Sequence, residues 1–526
     1  MSLIGRLLKR AFTRLRGTGN VGDGAGASFG GNLAALLQQA QELASTQHFG
    51  DAQTLFRKVL DRDPQNLEAL LWLGISAARE RRYGIARDLL ERLVRVDPGC
   101  LDGFNALANV ARLERRWQDA RAFYGKALEL DPDAVAVLAN LGTCLREMDQ
   151  PAEAQAHLKR ALEIEPDNTD ALFGFATVLI DAGEIERAES CLRRVLALEP
   201  RMADAHMALG HLLLLRGAFE EGWREYDWRH CAEVVEQEPV YPYPYWHGDP
   251  IEGEVILVRA EQGLGDQIMF ASCLPDLQCR ARGVILECDP RLAPIFARSF
   301  PSISVHPRRA NDPEGWRAAG INPDKQVFFG SLPRYFRNHW EEFPTRGAYL
   351  QADPIRVAQW RERLDDLGAA LKIGFSWRGG TPQTRQALRS IPLSEWRPLF
   401  NSRGCRWISL QYGAAAAEVL ALAEAHELPL HHWQQAIDDH EETVALMTAL
   451  DLVVSVPTAA VHLAGALGRP AWVMVPFAPE WRYLARGECL PWYSSVTVLR
   501  QQRPGDWGPV LADVSARLAV LERRSR

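Results

Sequence analysis

The chain has 526 residues, of which 47% are hydrophobic and 24% are charged, and its formal net charge is −7. This length suffices for about three domains, whereas the negative charge and the lack of a basic, aromatic-rich motif exclude a typical nucleic-acid-binding protein. No apolar run reaches the ~18–20 residues of a membrane-spanning helix. The nine cysteines show no Cys-x-x-Cys spacing, which predicts reduced thiols and a cytoplasmic protein.

The first 32 residues form an amino-terminal tail. Apolar residues recur at helical spacing through 3–16 and are interleaved with arginines and a lysine. A basic amphipathic helix of this kind could rest peripherally on an anionic membrane surface or dock on a partner. A frayed tail explains the same pattern equally well. If the amphipathic helix binds a membrane or a partner, the Gly-rich stretch 17–31 would be a flexible tether between it and the repeats.

Acid–proline pairs recur every 34 residues within the region 33–230. They are Asp63-Pro64, Asp97-Pro98, Asp131-Pro132, Glu165-Pro166 and Glu199-Pro200. Small residues such as Gly74 and Gly142 recur at the eighth position of each unit, where two helices of a hairpin must touch. A 34-residue period indicates a helix-turn-helix solenoid whose stacked units leave a groove for another chain. The pattern resembles the tetratricopeptide repeat.

That resemblance implies that certain first-helix positions face the concave groove. Carried onto this sequence, they are Arg79, Asn105, Asn109, Arg112, Asn140, Thr143 and Arg146. Asparagine amides donate and accept hydrogen bonds at once, so they could hold an extended protein segment by its backbone. For each single residue, the alternative is an ordinary solvated helix face.

A stiff Tyr/Pro linker at 231–250 is followed by short apolar runs that alternate with helical segments. Strand–helix alternation predicts parallel, doubly wound sheets. Its extent predicts two Rossmann-like α/β lobes, 251–370 and 371–500, and a C-terminal helix in 501–526. Two facing lobes create a cleft at the carboxyl ends of their strands, where open α/β sheets bind ligands.

In the first lobe, a predicted strand runs into a Gly-rich turn, and a helix is predicted over 267–281. The loop glycines Gly263 and Gly265 allow backbone turns that a β-carbon would obstruct. Asp266 follows at the predicted helix start, as an ordinary N-cap or as a functional carboxylate facing the cleft. Met269 replaces the third glycine of a dinucleotide fingerprint, which argues against nicotinamide binding.

In the second lobe, a predicted strand at 452–456 leads into a helix whose start could hold a phosphate. Thr458 stands at that start. His462, one turn later, is either an anion contact or a core histidine. After the predicted strand 371–376, Arg378 and Arg389 could neutralise phosphate charge through their planar guanidinium groups. Arginines in such positions are otherwise simply solvated.

Five segments together resemble the heptosyltransferase type of glycosyltransferase, which has the two-lobed GT-B fold. They are 259–266 (RAEQGLGD), 373–380 (IGFSWRGG), 389–393 (RSIPL), 409–411 (SLQ) and 451–470. Combined with the repeats, they resemble bacterial tetratricopeptide–glycosyltransferase fusions, a group that includes flagellin glycosyltransferases. Residues 223–229 and 479–484 are also typical of those fusions.

The resemblance implies a nucleotide-sugar donor bound mainly by the second lobe and an acceptor approaching from the first lobe. The donor-site residues it implies are Arg378, Arg389, Gln411, Thr458 and His462. Asp266 would act as the general base that takes the proton of the acceptor hydroxyl. No Asp-x-Asp motif is evident, and enzymes of this fold generally work without a bound metal, so no metal and no cofactor is expected. Pro457 stands where heptosyltransferases carry an aspartate, which disfavours a heptose donor.

The leading prediction is a cytoplasmic protein O-glycosyltransferase whose repeats capture a protein acceptor, with flagellin the leading acceptor. One alternative is a lipopolysaccharide or envelope-glycan glycosyltransferase whose repeats recruit it to a complex. The other is a non-catalytic scaffold that keeps degenerate glycosyltransferase lobes as a binding surface. The retained Asp266 favours an enzyme, whereas Pro457 favours the scaffold.

Overall fold

This computed structural model describes residues 30–46, 48–231, 241–309, 315–320, 322–344, 347–380, 386–402, 404–413 and 415–525. The chain divides into two compact units: one comprises residues 1–209 and 228–236, and the other comprises residues 210–227 and 237–526. The division falls within the region 33–230 that the sequence predicts as repeats. The predicted amphipathic segment 3–16 lies outside the described residues.

Helical hairpins make up the first unit, as the 34-residue period predicts. Its helices are α1 (Gly30–Ser45), α2 (Phe49–Arg62), α3 (Leu67–Arg79), α4 (Tyr83–Val96), α5 (Leu101–Leu113), α6 (Trp117–Leu130), α7 (Val135–Glu147), α8 (Pro151–Ile164), α9 (Thr169–Asp181) and α10 (Ile185–Leu198). The next helix, α11 (Ala203–Arg216), contributes residues to both units. The first unit is therefore a helical solenoid.

The acid–proline pairs terminate the second helix of each hairpin. At Asp97, the backbone N–H still donates to the Leu93 carbonyl, while the carboxylate accepts the N–H of Gly99 at 2.9 Å. Proline at the next position cannot continue the helix, because it lacks an N–H and its ring clashes with the preceding turn. The repeated dipeptide therefore ends each hairpin at the same place.

The small first-helix residues lie where the two helices of a hairpin meet. A β-carbon on Gly74 would lie 2.6 Å from Cγ of Leu90, and one on Gly142 would lie 2.5 Å from Cγ of Leu158. Real β-carbons essentially never approach another atom so closely. The close helix contact predicted at these positions is confirmed.

The second unit contains two sheets. A four-stranded parallel sheet comprises β1 (Val255–Arg259), β2 (Gly283–Cys288), β3 (Ser304–Pro307) and β4 (Lys325–Phe328) in the order β3-β2-β1-β4. A seven-stranded sheet comprises β5 (Leu371–Ser376), β6 (Cys405–Ser409), β7 (Leu430–His431), β8 (Leu452–Ser455), β9 (Ala471–Val475), β10 (Cys489–Leu490) and β11 (Tyr493–Arg500) in the order β10-β11-β9-β8-β5-β6-β7. Only the β10–β11 pair is antiparallel among the described strands.

Helices lie before, between and after these strands, which makes the second unit an α/β structure. They are α12 (Phe219–Tyr226), α13 (Leu264–Phe270), α14 (Leu274–Gln278), α15 (Ala293–Ser299), α16 (Pro333–Phe336), α17 (Pro354–Asp365), α18 (Arg397–Phe400), α19 (Ala416–His426), α20 (Gln434–Asp438), α21 (His440–Ala449), α22 (Ala459–Ala466) and α23 (Gly508–Ser525). The carboxyl-terminal α23 packs its apolar face into the core of the larger sheet, through Val510, Val514 and Leu518.

The described part of the Tyr/Pro segment is extended and lies along the edge of the smaller sheet. Trp246 donates its N–H to the carbonyl of Gln326 in β4 at 2.8 Å, and Gln326 donates to the carbonyl of Pro244 at 2.9 Å. Tyr241 is buried, and its hydroxyl donates to Glu287 at 3.0 Å. Prolines are tolerated at such an edge, where one side of the strand needs no donor.

Candidate functional site

A cavity of about 500 Å³ lies at the carboxyl ends of β5, β6 and β8 in the larger sheet. Its lining residues are Ser376, Arg378, Gly380, Gln386, Leu410, Gln411, Tyr412, Thr458, Ala459 and Ala460. Parallel strands end at one edge of a sheet, which is where α/β sheets hold ligands. Three of the residues predicted for the donor site, Arg378, Gln411 and Thr458, therefore meet in one cavity.

Gln411 organises the turn that follows β5. Its Oε1 accepts hydrogen bonds from the Ser376 hydroxyl at 3.0 Å and from the N–H groups of Trp377 and Arg378 at 3.0 and 2.9 Å. Its Nε2 donates to the carbonyls of Arg378 and Tyr412 at 3.2 and 3.4 Å. The side-chain amide is thus occupied by the protein, so its part in the cavity is to hold the turn in shape.

Arg378 and Thr458 offer groups that suit an anion. The Arg378 guanidinium pairs with Glu418 at 3.0 Å, and the arginine side chain is 37% exposed. Thr458 is the N-cap of α22 but makes no side-chain capping bond; its hydroxyl lies 3.0 Å from that of Ser455 instead. The first N–H groups of α22 are therefore not capped by this hydroxyl, and helix N-termini attract negative charge.

Asp266 lies in the first turn of α13, which begins at Leu264 with Gly263 as the N-cap. Asp266 is therefore not the N-cap, and Gly265, which the sequence placed in a loop, lies in the helix because α13 begins before it. One carboxylate oxygen, Oδ1, accepts hydrogen bonds from Nε of Arg482 at 2.8 Å and from its Nη2. The other oxygen, Oδ2, has no hydrogen-bond partner among the described residues.

The turn that carries Asp266 abuts the cavity. A β-carbon on Gly265 would lie 3.0 Å from Cδ2 of His462 and 3.5 Å from Cα of Ala459. Ala459 lines the cavity. The close approach of α13 to α22 thus requires glycine at position 265, and it brings the candidate base next to the candidate donor site.

His462 is buried beside Asp266 and is not part of the cavity lining. Its Nδ1 lies 3.2 Å from the hydroxyl of Tyr493. Burial, together with the nearby Arg482, lowers the pKa of His462 from 6.5 to about 4, although Asp266 opposes the shift. The ring is therefore neutral near pH 7, so it does not supply a positive charge to an anion there.

Arg389 is also buried and outside the cavity lining, and it forms an ion pair with Glu480. Glu480 in turn lies 3.8 Å from Nη1 of Arg482. Burial by itself would lower the pKa of Arg482, but attraction to Asp266 and Glu480 outweighs burial and raises it. Four charges of alternating sign thus run from Asp266 through Arg482 and Glu480 to Arg389.

Sequence reasoning assigned no role to Glu480 or Arg482. It singled out the segment 479–484 only as typical of the fusions. The contact of Arg482 with Asp266 joins residues 216 positions apart, and no local pattern encodes such a pairing. The signal that could have found them was the presence of two opposite charges inside an otherwise aromatic motif.

The predicted groove asparagines are buried and bonded to one another. Asn140 donates from Nδ2 to Oδ1 of Asn105 at 3.0 Å, and Asn109 donates to the carbonyl of Asn105 at 2.9 Å. The hydroxyl of Tyr124 donates to Oδ1 of Asn109 at 2.9 Å. The first of these bonds joins two consecutive repeats, and the other two lie within one hairpin. Oδ1 of Asn140 has no hydrogen-bond partner among the described residues.

The other predicted groove residues also have partners within the repeats. Arg112 pairs with Glu147 at 2.9 Å, and the equivalent Arg146 of the next repeat pairs with Asp181. The Arg79 guanidinium lies 4.3 Å from the centre of the Phe49 ring. The Thr143 hydroxyl donates to the carbonyl of Ala139 at 3.1 Å. The ion pairs therefore repeat with the period of the hairpins.

Neither a metal-binding cluster nor a membrane-spanning helix occurs within the described ranges. In those ranges, no group of three or more His, Cys, Asp or Glu side chains is arranged to hold a metal ion. None of the helices in the described part of the chain combines the length and the apolar character needed to cross a membrane. All nine cysteines are free thiols.

Comparison with known proteins identifies the repeats. Three family models, each described as tetratricopeptide repeat, match residues 37–99, 100–167 and 145–212. The amino-terminal region is thus composed of tetratricopeptide repeats. Protein FlbA of Caulobacter vibrioides is 34% identical over 324 residues, which is 58% of this chain and 53% of that protein. The match therefore spans about half the length of this relative.

Solved structures with low overall similarity were also found. The protein TTC0263, a thermophilic TPR protein of Thermus thermophilus, is 22% identical, with 35% of this chain and 99% of that chain covered and a TM-score of 0.32. YrrB, a TPR protein with an unusual peptide-binding site, is 21% identical, with 33% and 89% covered and a TM-score of 0.26.

Proposed function

We propose that this protein is a glycosyltransferase of the GT-B type that moves a sugar from a nucleotide-sugar donor to a Ser or Thr hydroxyl of a protein acceptor. The observation that carries this proposal is the cavity of about 500 Å³ at the carboxyl ends of β5, β6 and β8, with Asp266 on the turn beside it. That volume is typical of small-molecule sites. Oδ2 of Asp266, which has no hydrogen-bond partner among the described residues, adds a group that can accept a proton.

The transfer joins the acceptor oxygen to the anomeric carbon of the sugar. The bond between that carbon and the donor phosphate oxygen breaks, and its electron pair leaves with the nucleotide. The hydroxyl proton passes to Oδ2 of Asp266, the oxygen that Arg482 does not engage. Arg378 and the first N–H groups of α22 would stabilise the charge that develops on the leaving phosphate.

The repeats supply the means to hold a protein acceptor, since stacked repeats of this kind generally bind other proteins. Oδ1 of Asn140 could accept a hydrogen bond from the backbone of an extended segment. Similarity to Protein FlbA supports a flagellum-associated role. We therefore propose flagellin as the acceptor.

A second candidate function is a non-catalytic scaffold. In favour of it, Asp266 is paired with Arg482 and Arg389 with Glu480. Pro457 offers no backbone N–H beside the N-terminus of α22. In this case the lobes would bind a nucleotide or a partner without turnover.

The test is to co-express the full chain with flagellin and to record the intact mass of flagellin. We expect a sugar-sized mass increment with the wild type and a loss of at least ~100-fold in transfer rate with Asp266→Asn. The matched control is Asp276→Asn, which breaks another aspartate–arginine pair, with Arg337, in the same lobe.

Unchanged flagellin mass with the wild type under all nucleotide sugars supplied would contradict sugar transfer to flagellin. Calorimetric titration with free nucleotides then separates the two candidates. Binding without any turnover would favour the scaffold. Equal activity of Asp266→Asn and wild type would exclude Asp266 as the base.

A further inference from the structure

The segment that carries Glu480 and Arg482 is held in place by a half-buried arginine, Arg500. Residues Trp481–Tyr483 form a short 3-10 helix. Arg500 donates hydrogen bonds to the carbonyls of Tyr483, Leu484 and Gly487 at 2.6, 2.8 and 2.8 Å. Several bonds to a single guanidinium fix the backbone of this loop, so the positions of Glu480 and Arg482 are set before any ligand arrives.

Arg482 reaches from this loop to the first turn of α13. Its side chain is 16% exposed and that of Asp266 is 17% exposed, so the pair is shielded from solvent and is little screened by salt. The bonds from Nε and Nη2 both end on Oδ1. This geometry orients the carboxylate and leaves Oδ2 as the oxygen that can meet an acceptor.

Uncharged aromatic groups surround this pair. The Tyr226 hydroxyl of α12 accepts a hydrogen bond from Gln262 at 2.6 Å, on the loop that precedes α13. Neutral His462 comes from α22, and the buried hydroxyls of Tyr483 and Tyr493 come from the loop and from β11. Among the described residues, Arg482 is therefore the charged side chain that contacts Asp266, and Glu480 is the next charge along the network.

Glu480 connects this pair to the other side of the site. One of its oxygens pairs with Arg389, and the other lies 3.8 Å from Arg482. Nε of Arg389 is buried and has no hydrogen-bond partner in the described part of the chain. The arginine thus keeps a donor that its carboxylate partner does not use, and an anionic group could bind to it.

We propose that Arg482 is a positioning residue that aims Asp266 at the acceptor, and that Glu480 couples it to Arg389 so that the base responds to donor binding. This inference rests on the proposed glycosyl transfer. A donor phosphate that binds Arg389 competes with Glu480 for its guanidinium. Glu480 then attracts Arg482 more strongly, which weakens the contact of Arg482 with Asp266 and leaves the carboxylate free to take the acceptor proton.

The test is the split between kcat and the donor KM for sugar transfer. Arg482→Gln removes the two-point contact that orients Asp266, so kcat should fall about 100-fold, whereas the donor KM should stay within about threefold of wild type. Arg482→Lys keeps the charge but not the two-point contact, so it should lower kcat only about tenfold.

The matched control is Arg298→Gln. Arg298 also pairs with a carboxylate across the two lobes, Glu441, at 2.6 Å, but this pair lies outside the network. The control should keep the wild-type kcat and donor KM. A kcat within about threefold of wild type in Arg482→Gln, or a fall in kcat that Arg482→Lys does not partly restore, would overturn the positioning role.

Glu480→Gln tests the donor side without relying on turnover. Freed from its partner, Arg389 should bind nucleotide phosphate at least about fivefold more tightly by calorimetry with UDP, GDP or CMP. Unchanged affinity for all three would overturn the coupling. A wild type that transfers no sugar would contradict the proposed function and the role of Asp266. Even then, a change in nucleotide affinity in Glu480→Gln would support the link between Glu480 and Arg389.

Discussion

The repeats and the α/β unit differ in how far apart in sequence their contacting residues lie. In the repeats, the pairs Asn105–Asn140 and Arg112–Glu147 both span 35 positions, about one repeat. In the α/β unit, Asp266 and Arg482 are 216 positions apart. A substitution in the repeats should therefore act on one hairpin and its neighbours. One in the α/β unit should disturb several elements at once.

The largest expected effect in the repeats comes from Leu158→Ala. Leu158 is fully buried, and its side chain packs against the backbone at both Gly142 and Gly174. Removing it should cost about 2–5 kcal/mol of the free energy of unfolding, with faster amide hydrogen exchange confined to α7–α9. The control Leu130→Ala, at a site 44% exposed, should change stability by less than about 0.5 kcal/mol. Loss of protection throughout the α/β unit would refute the local character of the repeats.

Replacing a glycine by alanine should change the free energy of unfolding in opposite directions in the two regions. A β-carbon on Gly465 would lie 2.3 Å from Cγ of Tyr493, so Gly465→Ala should destabilise the α/β unit by about 3 kcal/mol. Gly125 in α6 has open space where a β-carbon would point, and Gly125→Ala should stabilise the repeats by about 0.4–1 kcal/mol. Thermal unfolding followed by circular dichroism measures both. Equal shifts in the same direction would contradict the packing described here.

Acid should weaken the α/β unit through His462. Its pKa is lowered to about 4 in the folded chain from 6.5, so the unfolded chain binds a proton that the folded chain does not. Stability is then full above pH 6.5 and is lost as the pH falls towards 4, by up to about 3 kcal/mol.

His462→Gln should flatten this dependence in chemical denaturation measured between pH 7 and 4. In the repeats, burial also lowers the pKa of the partly buried His157, and His157→Gln is the matched comparison with a smaller expected change. An acid response that persists unchanged in His462→Gln would assign the effect to other groups.

The smallest expected effect is that of an exposed ion pair. Arg160 and Asp133 lie 2.8 Å apart, but their side chains are 51% and 59% exposed. Arg160→Ala should leave the urea midpoint of unfolding unchanged within measurement error, because water and salt screen such a pair. A clear drop in that midpoint would show that consecutive repeats depend on their surface charges.

Much of the fold could be predicted because it depends on patterns among residues that are close together in the sequence. The 34-residue period gives the hairpins, and the predicted strands 371–376 and 452–456 appear as β5 and β8. The predicted helix 267–281 is instead divided into α13, a 3-10 turn and α14. The edge strands β3, β7 and β10 were missed because they are short, and β3 is only half buried.

The candidate site could be predicted only in part. Residues that follow neighbouring parallel strands must meet at one sheet edge, which is why Arg378, Gln411 and Thr458 share the cavity. His462 and Arg389 follow the same elements but turn into the protein, towards Tyr493 and Glu480. Spacing along the chain does not reveal the direction in which a side chain is buried.

The repeats and the α/β class thus follow from the periodicity and the strand–helix alternation of the sequence, and the meeting of Arg378, Gln411 and Thr458 follows from strand direction. The partners of the charged residues depend instead on tertiary packing. The pairing of Asp266 with Arg482, and of Arg389 with Glu480, depends on how distant segments pack. Burial makes each pair important for stability, because a charge that is shielded from water is costly unless an opposite charge lies beside it in the protein.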